Sequence, residues 1–219
     1  MDATGSDSKV ERVFVLGPPA SGKTTQAQRV ATSLGLRHLS MGDALRDAVA
    51  QGTPMGARAR SSMERGELVP DEVVVAVLGE HVDRADERGF VLDGFPRDVE
   101  QAEVTGAVVG RPDLVVHLAI PDDEVVRRIA GRRSCPSCAR IYHLEDRPPG
   151  VPDRCDDDGE PLVRRPDDRR DVVLSRLAVY RERTEPVIRH YGAAGVLVEV
   201  DGTGEISQVT ARILGALGA

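Results

Sequence analysis

Gly17-Pro18-Pro19-Ala20-Ser21-Gly22-Lys23-Thr24-Thr25 follows the apolar run Val13-Phe14-Val15-Leu16 and precedes a stretch of helical periodicity. The order is strand, phosphate-binding loop and helix, in the pattern G-x-x-x-x-G-K-[ST]. Gly17 and Gly22 permit a tight turn whose backbone N–H groups converge on an anion, and the helix opening at Gly22 adds its positive dipole end. In this pattern Lys23 reaches the β- and γ-phosphates, and the Thr24 hydroxyl is placed to hold Mg²⁺. Ala20, Ser21, Gly22, Lys23, Thr24 and Thr25 are therefore candidate contacts for a nucleoside triphosphate. A chance Gly/Pro-rich turn is the bland alternative, and the flanking strand and helix weigh against it. The loop alone names no reaction.

Downstream, Ala27, Val30, Ala31 and Leu34 recur at helical spacing and Gly35 stops the helix. A short strand at 36–40 leads to Met41-Gly42-Asp43-Ala44-Leu45-Arg46, where Asp43 is expected to cap a helix carrying Arg46. A second short helix, at about 55–65, ends near Gly66. After Glu67-Leu68-Val69, Pro70-Asp71-Glu72 begins a long helix with proline in its first turn and Gly89 just beyond its end.

The buried strand Phe90-Val91-Leu92 runs into Asp93-Gly94-Phe95-Pro96-Arg97. Ligands bind beyond the carboxyl ends of parallel strands, which places Asp93 to orient Mg²⁺ or its waters and Arg97 to grip a phosphate. Within the next strand, Leu114 to Ala119, His117 is expected to be a satisfied core histidine. Pro121-Asp122-Asp123 reads as a capped helix start. Its Arg128 and Arg132, at i, i+4 spacing, are expected on one face, either complementing the dipole or clamping phosphates. Arg164-Arg165-Pro166-Asp167-Asp168 is expected to open a long helix that includes Leu174, Arg176 and Leu177. A strand at 196–200 and a closing helix at about 205–217 complete the alternation. The fold class is therefore α/β, a P-loop NTPase-type parallel sheet covered by helices on both sides.

A chain of 219 residues buries a substantial core without staples. Residues 1–9 are small, polar and aperiodic and read as a disordered tail. The three cysteines all lie within 135–155, no long apolar run exists, and no basic-then-apolar leader is present, so a cytoplasmic location is expected. A net charge of −7 argues against a general nucleic-acid or membrane surface. Lys9 and Lys23 are the only lysines, so the positive charge is nearly all arginine, which is suited to bidentate phosphate contacts.

Cys135-Pro136-Ser137-Cys138 and Cys155-Asp156-Asp157-Asp158 form two ligand pairs of equal internal spacing around a segment long enough for a small hairpin. Tetrahedral zinc accepts a set of three thiolates and one carboxylate, and four protein ligands make such a site structural. The alternative is an ordinary acidic turn with three free thiols.

In order and spacing, several separated motifs resemble those of adenylate kinase, in its long bacterial form, over about residues 10–217. They are the phosphate loop with Gln26-Ala27-Gln28, Gly42-Asp43 with Leu45-Arg46, Leu68-Val69-Pro70-Asp71, Asp93 to Arg97 with Gln101, Gly131-Arg132-Arg133, and Asp201-Gly202-Thr203. The resemblance implies a single kinase domain with a core (10–39, 70–130 and 169–219), a monophosphate-binding flap at 40–69 and a lid at 131–168. It implies that Lys23, Arg97, Arg132, Arg165 and Arg176 serve the transferring phosphoryl group. ATP contacts would include Arg128, Arg132, Ile141, Tyr142 and Gly204. For AMP the resemblance points to Ser40, Met41, Arg46, Glu67, Leu68, Val69, Gly94, Phe95, Pro96, Arg97, Gln101, Arg165 and Arg176, with Gln101 reading the base.

The implied cofactors are Mg²⁺ with ATP and a structural Zn²⁺ in the lid. The implied partners are ATP, AMP and ADP, with no nucleic acid and no membrane, and the implied state is a monomer. The chain departs from the family at Met41, where a threonine is usual, leaving Ser40 as the nearest hydroxyl. Ala20 and Thr24 stand where the family often has glycine. Met41 keeps UMP or CMP kinase activity as the near alternative, while Gln101 favours AMP. A nucleotide-sensing or RNA-binding zinc-ribbon protein is the alternative from another class, disfavoured by the acidic charge and by only three Phe and three Tyr.

Overall fold

The computed structural model describes residues 10–81 and 89–218. The tail expected at residues 1–9 and the end of the long helix before Gly89 lie outside the described residues.

β1 (Arg12–Leu16) is apolar beyond its first residue, and its period of two sends Val13 and Val15 to one face and Phe14 and Leu16 to the other. α1 (Lys23–Leu34) follows the phosphate loop and ends at Gly35, φ 67°. β2 (Arg37–Ser40), α2 (Met41–Ala50) and α3 (Pro54–Arg65) come next. The two helices approach so closely that a Cβ on Gly56 would lie 2.0 Å from the Ala48 carbonyl oxygen. α4 (Asp71–His81), β3 (Phe90–Asp93), α5 (Val99–Val109), β4 (Leu114–Ala119) and α6 (Asp122–Gly131) continue the alternation. β5 (Arg132–Ser134) and β6 (Ile141–His143) form an antiparallel hairpin outside the main sheet. α7 (Arg170–Val179), a π-helical turn (Tyr180–Thr184), α8 (Glu185–Ala193), β7 (Leu197–Asp201) and α9 (Ile206–Leu217) complete the described chain.

The main sheet has the order β2-β3-β1-β4-β7, with every neighbouring pair parallel. One apolar cluster joins Val13 and Val15 to Ala27, Val30 and Ala31 of α1 and Val209 and Ile213 of α9. On the opposite face a second cluster joins Phe14 and Leu16 to residues of α2, α3, α4, α5 and α8. The sheet is thus covered on both faces, as the alternation of elements predicts.

Local expectations are corrected at four points. Ser40, not Asp43, caps α2: its Oγ accepts from the Asp43 N–H at 3.3 Å, because the helix starts at Met41 and the cap must precede it. Pro121 precedes α6 without a side-chain cap, and the three following acids lie in the first turn, where they meet the dipole. Arg132 does not share a helix face with Arg128, because the chain leaves α6 at Gly131 and turns extended into β5 (ψ 136°). Residues 164–168 do not open one long helix. Pro166–Asp168 is a 3₁₀ turn, and extended Arg169 (ψ 145°) separates it from α7. His117 is satisfied as expected, with Glu199 Oε2 at 3.0 Å from Nδ1 and the Tyr180 hydroxyl at 2.9 Å from Nε2.

Candidate active site

Strand register brings the motifs to one edge. Ser40 and Val15 both pair with Asp93, so the ends of β2 and β3 lie beside the loop that leaves β1. The loop depends on close packing: a Cβ on Gly17 would lie 2.7 Å from both the Leu118 carbonyl oxygen and Ser21 Oγ. Ala20 holds φ 57°, a left-handed conformation costing an ordinary residue about 1–2 kcal/mol.

A cavity of about 440 Å³ opens above this edge. Ala20, Ser21, Gly22, Lys23, Thr24 and Thr25 line its floor, and Lys23, Arg46, Arg97, Arg132, Arg165 and Arg176 all face it. Their charges interact strongly. Burial pushes Lys23 down to about 7, partly offset by Asp93 and reinforced by Arg97, Arg176 and Arg132. Burial, then Arg46 and Arg132, lowers Arg165 to about 10; burial also lowers Arg176 to about 10, with Asp167 opposing it and Arg132 and Arg97 adding to it. Arg97 is likewise held below the usual guanidinium range by burial and then by Arg46. A polyanion in the cavity would relieve this crowding.

Acids outside the expected set fix the arginines. Asp168, wholly buried, accepts from Arg132 Nε at 2.9 Å, and Asp167 accepts from Arg176 at 2.8 Å. Asp43 pairs with Arg46 and stands 4.0 Å from Arg165. The doublet Asp167-Asp168 beside Arg165 was the sequence signal for these partners. Arg128 also lines the cavity, and its guanidinium donates to Glu124 at 2.6 Å, to the Ser21 carbonyl at 3.2 Å and to the Gly202 carbonyl at 2.9 Å. Glu124, Arg127, His143, Asp146 and Arg147 also line the cavity, although sequence reading did not single them out.

The structure divides the remaining expected residues. Ser40, Gly94, Ile141 and Gly204 line the cavity. Tyr142 borders it, but its ring is buried in the hairpin core with its hydroxyl toward Cys155 Sγ at 3.5 Å. Leu68 and Pro96 line a smaller adjoining cavity of about 50 Å³ that shares Lys23, Gly94, Arg97 and Arg176. Met41, Val69 and Phe95 are core residues rather than cavity wall. Glu67 is exposed and paired with Arg65 at 2.7 Å. Gln101 is buried beneath the 94–97 loop, accepting from the Arg97 N–H at 2.9 Å and donating to Asp71 at 2.7 Å.

Two places suit metals. Thr24 Oγ1 donates to Asp93 Oδ2 at 2.5 Å, while buried Asp93 Oδ1 has no hydrogen-bond partner among the described residues. Two hard oxygens facing the phosphate loop fit Mg²⁺, which prefers a few protein oxygens beside phosphate and water. In the hairpin, ligand atoms of Cys135, Cys138, Cys155 and Asp158 all lie within 4.8 Å of one another. Cys138 and Cys155 sulfurs are 3.5 Å apart, and Cys135 Sγ is 3.3 Å from Asp158 Oδ2. A tetrahedron of Zn–S bonds near 2.3 Å has edges of about 3.8 Å, so the set fits zinc.

A parallel sheet whose first strand feeds an anion-binding loop, opposed by converging arginines, defines a P-loop phosphotransferase. A family model described as adenylate kinase matches residues 15–196. The adenylate kinase of Syntrophotalea carbinolica is 45% identical over 212 residues, covering 94% of this chain and 98% of its own. That of Archaeoglobus fulgidus is 44% identical, covering 92% and 95%, and that of Acidothermus cellulolyticus 44%, covering 94% and 97%. The chain belongs to the adenylate kinase family. Among the described residues no helix is long and apolar enough to cross a membrane.

Proposed function

We propose that this protein catalyses reversible transfer of the γ-phosphoryl group of Mg·ATP to AMP, giving two ADP. The observation that carries this reading is the convergence of Lys23 with Arg46, Arg97, Arg132, Arg165 and Arg176 on one cavity beside the phosphate loop, where Arg127, Arg128 and Arg147 also line the wall. Phosphoryl transfer asks the protein for positioning and charge neutralisation rather than covalent chemistry. Lys23 follows the γ-phosphoryl group, and Arg97, Arg132, Arg165 and Arg176 neutralise its equatorial oxygens. Arg46 and Ser40 hold the monophosphate side, while Ile141 and Gly204 border the ATP side. Gln101 supports the AMP pocket from below and reads the base once the 94–97 loop adjusts.

Thr24 and Asp93 would hold Mg²⁺ directly or through water. When bound with ATP, the ion supplies neutralisation of β- and γ-phosphate charge. Residues 40–69 act as the monophosphate flap and 131–168 as the lid; the approach of Arg165 to Asp43 supports closure of the two upon each other. Closure excludes the water that would otherwise hydrolyse ATP. Cys135, Cys138, Cys155 and Asp158 hold a structural Zn²⁺ that folds the lid, and the protein acts as a cytoplasmic monomer.

The decisive measurement is a coupled assay of ATP with AMP, UMP and CMP in turn. AMP is expected to give the highest kcat/KM. Preference for UMP or CMP would overturn the assignment of the acceptor, and absence of transfer to all three would overturn the activity.

A further inference from the structure

We propose that the π-helical turn Tyr180–Thr184 positions Arg97, acting through the Thr184 hydroxyl. This rests on the reading of Arg97 as a phosphate-gripping residue. Helix-forming residues run from Arg170 to Ala193, and the π turn interrupts them between α7 and α8. Such a turn widens the helix locally and re-aims the side chains after it, and it occurs often at functional sites.

A threonine inside a helix ordinarily bonds back to a carbonyl of its own preceding turn. Thr184, only 6% exposed, instead donates to the Arg97 carbonyl at 2.8 Å, across 87 residues of sequence. At the other end of the turn, the Tyr180 hydroxyl meets His117 Nε2 at 2.9 Å, tying the turn to β4.

Among the described residues, three hydrogen bonds hold Arg97. Its N–H donates to Gln101 Oε1 at 2.9 Å, its Nε donates to the Gly94 carbonyl at 2.9 Å, and its own carbonyl accepts from Thr184. Of these three, only the bond from Thr184 comes from outside the segment 93–101. It couples the Arg97 loop to the helical stretch that carries Arg176, and Thr184, Arg97, Arg176 and Lys23 line the same small cavity. Thr184 touches no reacting group; it holds the backbone from which a guanidinium reaches one.

The test is the pair Thr184→Val, which removes the hydroxyl at nearly constant shape, and Thr184→Ser, which retains it. Thr184→Val should lower kcat by about 10-fold or more, because small misplacements of a charge contact are costly. KM for ATP should stay within about twofold, and Thr184→Ser should recover most of kcat. In an Arg97→Ala background, Thr184→Val should lower kcat no further, since the two substitutions act on one contact. A Thr184→Val enzyme that melts earlier but keeps kcat per folded molecule, or whose loss adds fully to that of Arg97→Ala, overturns the inference. If Thr184→Val folds poorly, Thr184→Ala removes the same hydroxyl with less bulk and is decided by the same outcomes. A wild-type enzyme without ATP–AMP transfer overturns the proposed function as well, whereas normal Thr184→Val turnover beside a crippled Arg97→Ala overturns this inference alone.

Discussion

Arg132 and Asp168 meet side by side, with both acid oxygens accepting from the guanidinium and the acid wholly buried. The pair ties the strand that enters the cysteine hairpin to the turn that leaves it, 36 residues later. Burial would lower the Arg132 pKa, but the hydrogen bonds and charge of Asp168 outweigh it and raise it. Removing one partner of a buried pair leaves an uncompensated charge. Asp168→Asn should therefore lower the unfolding free energy by about 3 kcal/mol, measured by urea titration. A variant as stable as wild type would show that the pair adds nothing.

Lys23 is the one ammonium among the described cavity cations; Asp93 offsets part of its crowding, and a bound phosphate would relieve more. Lys23→Ala should reduce kcat at least about 10²-fold, the scale of losing one preorganised charge contact. Near-normal turnover in steady-state kinetics would remove Lys23 from the mechanism.

Met41 is only 3% exposed, in the same apolar cluster as Leu39 and Leu45, whereas Ser40 faces the cavity. Met41→Thr should therefore cost stability, about 1–3 kcal/mol, through lost packing and a buried hydroxyl. KM for AMP should change less than about twofold. Tighter AMP binding by 10-fold, with unchanged melting, would place the side chain in the pocket after all.

Zinc is expected at about one ion per chain, read by elemental analysis. The hairpin's own buried apolar group is small, Tyr142 with Cys135 and Cys155 and with Leu162 packed against them. Such a core cannot offset its ordering entropy without a staple. A strong chelator should lower the melting temperature, and Cys135→Ser should do the same while leaving the main sheet folded. Metal-free protein whose melting ignores chelator would favour the free-thiol turn.

Glu124 accepts from Arg127 at 2.8 and 2.9 Å and from Arg128 at 2.6 Å. The hydrogen bond from Arg127 leads, with Arg128 adding, and together they outweigh burial to hold the carboxyl at about 2. A depressed folded pKa gives stability that is complete above the unfolded value near 4.5 and lost as pH falls toward 2. Wild type should exceed Glu124→Gln by on the order of 1 kcal/mol at pH 6, since the group is partly solvent-screened. The gap should narrow by pH 3, followed by denaturant melts at each pH. A gap independent of pH would assign the effect to packing.

The phosphate loop, the alternation of strand and helix and most of the cavity cations were readable from sequence; Arg127 and Arg147, which also line the cavity, were not. Each rests on local chemistry: glycine spacing for an anion turn, a continuous apolar run for a strand buried on both faces, and side-chain charge at motif positions. The grouping of Cys135, Cys138, Cys155 and Asp158 was equally local, since two equal spacings recur. What the sequence could not state was direction. Met41 and Ser40 are neighbours, yet the helix start turns one into the core and the other toward the cavity. Arg128 and Arg132 have helical spacing, but the turn after Gly131 separates them, and Arg128 reaches carbonyls brought close only by the packed sheet. The bonds Arg132 to Asp168, Thr24 to Asp93 and Thr184 to Arg97 span 36, 69 and 87 residues. Such contacts follow from strand order and packing, because only the closed tertiary structure sets which distant side chains share a low-dielectric space.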